Sequence, residues 1–210
     1  MTPADAGRKP ARRLAQSFLG SVPRVYSGRV NSAGDPDQDA AFGTLSHIDA
    51  SGRAKMVDVS AKGDTKREAI ARGRITMRRE TLGLIQSNGV PKGDVLAVAQ
   101  VAGIMAAKHT HELIPMCHPL LLTGIDVTLT PNEARSCIDI ETAVRTTGKT
   151  GVEMEALTAA AVAALTVYDM CKAVDRAMKI EAVRLVRKTG GKSGSYTRKK
   201  QVPRGGSPSE

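Results

Sequence analysis

The sequence predicts an α+β domain with a mostly antiparallel sheet and helices on one face. Three observations lead there. Apolar residues recur at alternate positions over 67–77, 123–129 and 137–144, the period of a strand with one buried face. The stretch from Thr147 to Ala177 carries no charge between Glu155 and Asp169 and is dominated by Ala and Leu, which is strong helix composition. The order of elements reads β-β-α-α-β-β-α-β, with strands grouped in pairs rather than each separated by a helix.

The elements follow in order. Lys55 to Ser60 is short and β-branched, a strand candidate. Arg67 to Met77 places Ala69, Ala71, Gly73, Ile75 and Met77 on one face of a second strand. Glu80 to Ile85 reads as a short helix ended by Ser87-Asn88-Gly89. Asp94, closing the loop that starts at Val90, is placed to cap a helix over Val95 to Lys108. Two prolines bracket Met116-Cys117-His118, so the segment from His111 to Leu120 is constrained and non-helical. Thr123 to Leu129 and Cys137 to Val144 form a hairpin turned at Pro131-Asn132-Glu133. The long helix comes next. Residues 156 to 167 offer only Thr158 and Thr166 as polar groups, so it is covered nearly all round, by the rest of the chain and by a second subunit. Ile180 to Val186 is the last strand, and the chain beyond Tyr196 is polar and loose.

The 210 residues divide into a flexible N-terminal extension (1–44), one folded domain (45–196) and a flexible basic tail (197–210). The net charge of +10 is uneven. Residues 1–44 hold six basic and four acidic groups, the tail four and one, and the domain 21 and 16, a surplus of five. A mildly basic domain suits a phosphorylated or otherwise anionic partner. Aromatics make up only 2% of the chain and Trp is absent, which disfavours a nucleic-acid binder built on base stacking. Cys117, Cys137 and Cys171 stand singly, the pattern of reduced thiols rather than of a disulfide or zinc framework. No uninterrupted apolar run approaches the roughly 20 residues of a membrane helix, so no membrane partner is expected. The extension is rich in Arg and contains Ser, with Asp5 its only acid before Asp35. A bacterial extension of a cytoplasmic protein and an organellar transit peptide both fit that composition.

Several residues carry candidate chemistry, each beside a plainer reading. His109, His111, Glu112 and His118 lack the H-E-x-x-H spacing, and Pro115 interrupts any helix, so no metal site is expected. His118, in a proline-stiffened loop, suits proton transfer or phosphate contact as well as a satisfied structural role. Cys117 reads as a nucleophile or as a buried structural thiol, the second favoured because no activating partner stands near it in sequence. Gly148-Lys149-Thr150-Gly151 before a helix is not a Walker motif, yet its amides and Lys149 could hold an anion. Lys188 and Lys192 border a glycine-rich loop, a pattern shared by phosphate cradles and by solvated basic termini. Asp169 and Lys172 share a helix face, as an ordinary ion pair or as an acid-base pair at the edge of a buried surface.

Six motifs in order resemble the cyclic pyranopterin monophosphate synthase family of molybdenum cofactor biosynthesis. They are Met56-Val57-Asp58-Val59-Ser60-Ala61-Lys62, Lys92-Gly93-Asp94, the run from Leu113 to Leu120, the run from Thr147 to Leu157, Tyr168-Asp169-Met170-Cys171-Lys172-Ala173, and Gly190-Gly191-Lys192-Ser193-Gly194. The resemblance covers roughly Leu45 to Tyr196. It implies a ferredoxin-like fold and a phosphorus-oxygen lyase that converts (8S)-3',8-cyclo-7,8-dihydroguanosine 5'-triphosphate to cyclic pyranopterin monophosphate, releasing pyrophosphate. It implies a homohexamer built as a trimer of dimers with the site at the dimer interface. The substrate would come from a radical S-adenosylmethionine GTP cyclase, with no cofactor beyond Mg²⁺ that could accompany the triphosphate. Carried over residue by residue, the catalytic aspartate is Asp169 and the basic functional positions are Lys92, Lys172 and Lys188. The histidine is His118 and the acidic pair is Glu153 and Glu155. Substrate contacts fall at Met116, Cys117, His118, Glu153, Met154, Glu155 and Lys192. The chain departs from the family mainly in its two terminal extensions. Glu155 and Asp169 are 14 positions apart, about 21 Å along a helix, so one small substrate cannot meet both within one chain. Two antiparallel copies of the helix would bring opposite ends together.

Overall fold

The computed structural model describes Arg53 and residues 56–199; the expectations for residues 1–44 and for 200–210 lie outside them. Its elements are β1 (Thr65–Thr76), α1 (Arg79–Gln86), α2 (Val95–Lys108), α3 (Thr110–Leu113), β2 (Leu122–Asn132), β3 (Cys137–Gly148), α4 (Glu153–Cys171), β4 (Lys179–Thr189) and β5 (Tyr196–Thr197). The strands form one sheet in the order β2-β3-β1-β4-β5, every neighbouring pair antiparallel. α2 joins β1 to β2 and α4 joins β3 to β4. The α+β, ferredoxin-like expectation holds.

Side-chain alternation decides which face is buried. Ala69, Ala71 and Ile75 of β1 and Ile138, Ile140 and Val144 of β3 are buried among the core residues. The opposite face bears ion pairs between neighbouring strands: Arg72–Glu141, Arg74–Asp139 at 2.8 Å and Arg187–Glu68 at 2.6 Å. These basic side chains are matched by acids on the sheet, whereas other cations of the domain gather at the site described below.

α4 packs on β1, β3 and β4 and against α2. Its Ala159, Ala160, Ala163 and Ala164 are fully buried, because small side chains allow a helix to lie close to two neighbours at once. Gly103 of α2 completes that approach: a Cβ there would sit 3.1 Å from the Ala159 carbonyl oxygen and 3.3 Å from Val127. By length and hydropathy α4 meets the requirement for a membrane span, but half of it is buried as this core helix. Its outer side is not covered by the described residues. Leu165 of α4 and Val98, Val101 and Met105 of α2 are exposed.

Four local expectations are corrected. Residues 56–59 are not a strand. β1 is already paired on both sides, by β3 and β4, and the carbonyls of Val57 and Ser60 accept side-chain hydrogen bonds instead. The segment 111–120 opens with the one-turn helix α3, since Pro115 lies beyond that turn and removes no bond within it. The hairpin turns at Glu133–Arg135, with Ser136 left-handed at φ 49°, while Pro131 and Asn132 stay in β2. Pro131 is tolerated because β2 is an edge strand. Thr197, the first residue beyond Tyr196, is not loose but pairs with Arg187, as Tyr196 does with Lys188, in β5.

Candidate active site

The loop 114–120, the strap 57–62 and the first turn of α4 enclose a cavity of about 650 Å³. The strap is held by two side chains from elsewhere. His118 Nε2–H donates to the Val57 carbonyl at 2.9 Å, and Lys149 Nζ donates to the Ser60 carbonyl at 2.9 Å. A carbonyl only accepts, so neutral His118 keeps its proton on Nε2 and leaves Nδ1 as an acceptor. The chamber is mostly apolar, lined by Val57, Val59, Met116, Leu120 and Met154, with Cys117, His118 and Glu155 among its polar groups.

Glu155 is 4% exposed. Burial pushes its carboxyl up to about 7, the nearby Glu153 charge adding to the effect. Near neutral pH it therefore divides between an acid that can donate a proton and a carboxylate that can accept one. Cys117 is only partly buried. Burial first, and then the Glu155 carboxylate, push its thiol up, so it is poorly suited to be a thiolate nucleophile.

A second cavity of about 410 Å³ adjoins the first, sharing Lys62, Thr150, Gly151 and Glu153. Among the described residues five cations line it, Lys62, Arg67, Lys149, Lys188 and Lys192, against one carboxylate, Glu153. Lys188 Nζ lies 3.0 Å from Glu153 Oε1 and donates to Ser193 Oγ at 2.9 Å. Arg67 binds across the entrance of α4, donating from Nε to the Gly148 carbonyl at 2.8 Å and from Nη2 to that of Lys149 at 3.0 Å. The turn after β4 folds tightly over Arg67. Gly190 has φ 92°, and a Cβ there would lie 2.2 Å from the Lys66 carbonyl oxygen, so only glycine fits. Such a vestibule can neutralise a polyphosphate where the apolar chamber begins.

The other end of α4 carries a different cluster. Asp169 Oδ1 is 2.7 Å from Lys172 Nζ and its Oδ2 is 3.0 Å from Lys92 Nζ, which also donates to the Asp169 carbonyl at 3.0 Å. Lys172 first, then Lys92, hold the Asp169 carboxyl below its ordinary value, and Asp169 raises Lys172 in return. All three side chains are at least half exposed, so within one chain Asp169 and Lys172 do not sit in a buried setting.

The expected residues are thus divided. Met116, Cys117, His118, Glu153, Met154, Glu155, Lys188 and Lys192 line the joined cavities, while Lys92, Asp169 and Lys172 gather at the far end of the continuous helix. Glu155 and Asp169 are 14 positions apart, which corresponds to about 21 Å of helix. His109 and Glu112 pair with one another at 2.9 Å on the surface. Lys62 and Arg67 were not singled out from sequence. Lys62 ends the first of the six motifs, but Arg67 looks like any polar strand residue until its contacts to Gly148 and Lys149 are seen.

Residues 56–191 match the model of the MoaC family. Three similar relatives carry the name cyclic pyranopterin monophosphate synthase. The protein of Heliobacterium modesticaldum is 62% identical over 154 residues, covering 73% of this chain and 97% of its own. That of Pelotomaculum thermopropionicum is 65% identical over 155 residues, covering 74% and 91%. That of a Roseiflexus species is 63% identical over 152 residues, covering 72% and 96%.

Proposed function

The chain belongs to the MoaC family, a lyase of an early step of molybdenum cofactor biosynthesis, and we propose that the joined cavities at the start of α4 receive its GTP-derived substrate. The reaction is the conversion of (8S)-3',8-cyclo-7,8-dihydroguanosine 5'-triphosphate to cyclic pyranopterin monophosphate and pyrophosphate. One observation carries the placement: a chamber of mixed apolar and acid-base character opens directly onto a vestibule with five cations and one acid. The ring system occupies the first and the triphosphate the second. Lys188, Lys149, Arg67 and Lys192 neutralise the triphosphate and the departing pyrophosphate as the cyclic phosphate closes. Glu155 and His118 Nδ1 are the chamber's groups for moving protons to and from the ring. Any Mg²⁺ enters with the triphosphate, and no other cofactor is required.

Asp169, Lys172 and Lys92 supply the remaining acid-base chemistry, and they do so in the site of a second copy. The 14-residue separation along α4 keeps them from the chamber of their own chain. The exposed apolar side of α2 and α4, with Val98, Val101, Met105 and Leu165, favours a two-fold partner that covers it. Three such dimers would make the homohexamer. Asp169 and Lys172 then act at the ring, with Lys188 nearer the phosphates. The relatives are bacterial, which favours a cytoplasmic enzyme taking substrate from a radical S-adenosylmethionine cyclase; an organellar address for residues 1–44 is the alternative.

Incubation with the cyclised nucleotide, followed by detection of pyrophosphate and the pterin product, tests the activity. Mixing Glu155→Ala with Asp169→Ala protein tests the shared site, because one of the sites in a mixed dimer keeps both intact residues. Verified heterodimers without recovered turnover would refute the two-chain site and leave the activity standing.

A further inference from the structure

We propose that Asp175 is a positioning residue for Lys92, its buried carboxylate tying the start of α1 to the segment that follows α4. The proposal rests on the reading of Lys92, Asp169 and Lys172 as working groups.

Asp175 is 2% exposed, and both of its carboxylate oxygens are hydrogen-bonded. Oδ2 accepts from the backbone N–H of Arg78 at 2.9 Å and from Thr81 Oγ1 at 3.1 Å, and Arg78 Nε stands 3.5 Å away. Oδ1 accepts from the Ala177 N–H at 3.1 Å, and the Asp175 N–H donates to the Cys171 carbonyl at 3.0 Å. Arg78 Nη2 also binds the Val174 carbonyl. Arg78 and Thr81 are the N-cap and third residue of α1, a helix whose N-cap side chain makes no capping bond. A carboxylate 97 residues away from Arg78 in the chain instead holds this helix start, accepting from the N-cap's own N–H and from the Thr81 hydroxyl.

α1 is a stiff link from that cap to Lys92. It ends in a left-handed Asn88, with φ 53°, and in a bond from the Gly89 N–H to the Leu84 carbonyl at 2.8 Å. Val90 is then buried, and Lys92 follows two residues later. Lys92 in turn binds Asp169, six residues before Asp175. The connections close a ring: the end of α4, Asp175, α1, Lys92, and Asp169 at the end of α4 again. Without the Asp175 contacts the start of α1 is released, and Lys92 loses its fixed reach to Asp169.

The test titrates Asp169 by carboxyl-carbon NMR in intact, aspartate-labelled protein, with the resonance assigned by Asp169→Asn. Lys92→Met sets the reference, an upward shift of the Asp169 midpoint. Asp175→Asn and Thr81→Val should shift it the same way, Thr81→Val by less, and Thr81→Ser should restore the wild-type midpoint. Turnover should fall on the order of 10²-fold in kcat for Asp175→Asn with KM little changed. If Asp175→Asn does not fold, Thr81→Val decides, since it keeps the buried carboxylate and removes one bond. A wild-type midpoint in folded Asp175→Asn or Thr81→Val protein overturns the proposal, as does an unshifted midpoint in Lys92→Met. The readout needs no substrate, so its failure is distinct from failure of the proposed activity.

Discussion

Lys92 Nζ lies 3.0 Å from the Asp169 carboxylate and 3.0 Å from the Asp169 backbone carbonyl, so one ammonium fixes both the side chain and the last turn of the helix that carries it. A loop residue and a helix residue 77 positions apart thereby form a single unit with Lys172. Its geometry suits proton transfer because both lysines keep Asp169 ionised.

Lys172→Met should raise the Asp169 midpoint more than Lys92→Met does, because Lys172 is the larger influence on it. Either change should lower kcat on the order of 10²-fold or more, the usual worth of a positioned acid-base group. Both variants should melt close to wild type, since the groups are exposed. Steady-state kinetics and carboxyl titration measure these together.

Glu155 makes stability depend on pH. Its carboxyl is raised to about 7 in the folded chain against an ordinary value of 4.5. Between those values the native state holds a proton that the unfolded state has lost. Stability is therefore greatest below about 4.5, as far as this group contributes, and declines as pH rises through about 7, by on the order of 3 kcal/mol. Glu155→Gln should flatten that part of the profile, read as Tm against pH, and should also remove activity.

Vestibule cations should differ from cations on the open face of the sheet. Lys149→Met and Lys192→Met should weaken inhibition by inorganic pyrophosphate several-fold and reduce its dependence on salt. Arg72→Met, which loses a partner in Glu141 across the sheet, should leave that inhibition unchanged. Equal inhibition of all three variants would disprove the placement of the triphosphate.

Gly103→Val should destabilise the fold by about 1–3 kcal/mol, the cost of overpacking a tight helix crossing. The Ala159 carbonyl and Val127 leave no room for the added atoms. Gly190→Ala should do comparable damage locally, through its positive φ and the Lys66 carbonyl, and should raise KM by displacing Lys192. Denaturant melts and kinetics on both variants separate the two effects.

Much of the fold was legible because its signals are local. Alternation at Ala69, Ala71 and Ile75 marked β1, Asp94 marked the start of α2 to the residue, and its side chain caps the Ala97 N–H at 3.0 Å. β-Branched composition misled at Val57 and Val59, which have the residues of a strand but pair with no strand among the described residues, lying instead in the strap that His118 and Lys149 hold over the cavity. Thr197 departs in the other direction, since nothing in its polar surroundings announces that β4 still has an open edge for it to join.

The sequence alone determined the antiparallel α+β plan, the apolar long helix and the types of group available for chemistry. Periodicity, capping and composition act over a few residues and can be read along the chain. Tertiary structure decided which groups meet. Arg67 reaches Gly148 and Lys149, Lys188 reaches Glu153, His118 reaches Val57, and Asp175 reaches Arg78 and Thr81 only because the sheet and α4 fold distant segments onto one another. It also decided what ionises where: the same carboxylate type is pushed up to about 7 when buried at Glu155 and held down between two lysines at Asp169. Solvent exclusion and neighbouring charge set those values, and both are properties of the folded arrangement.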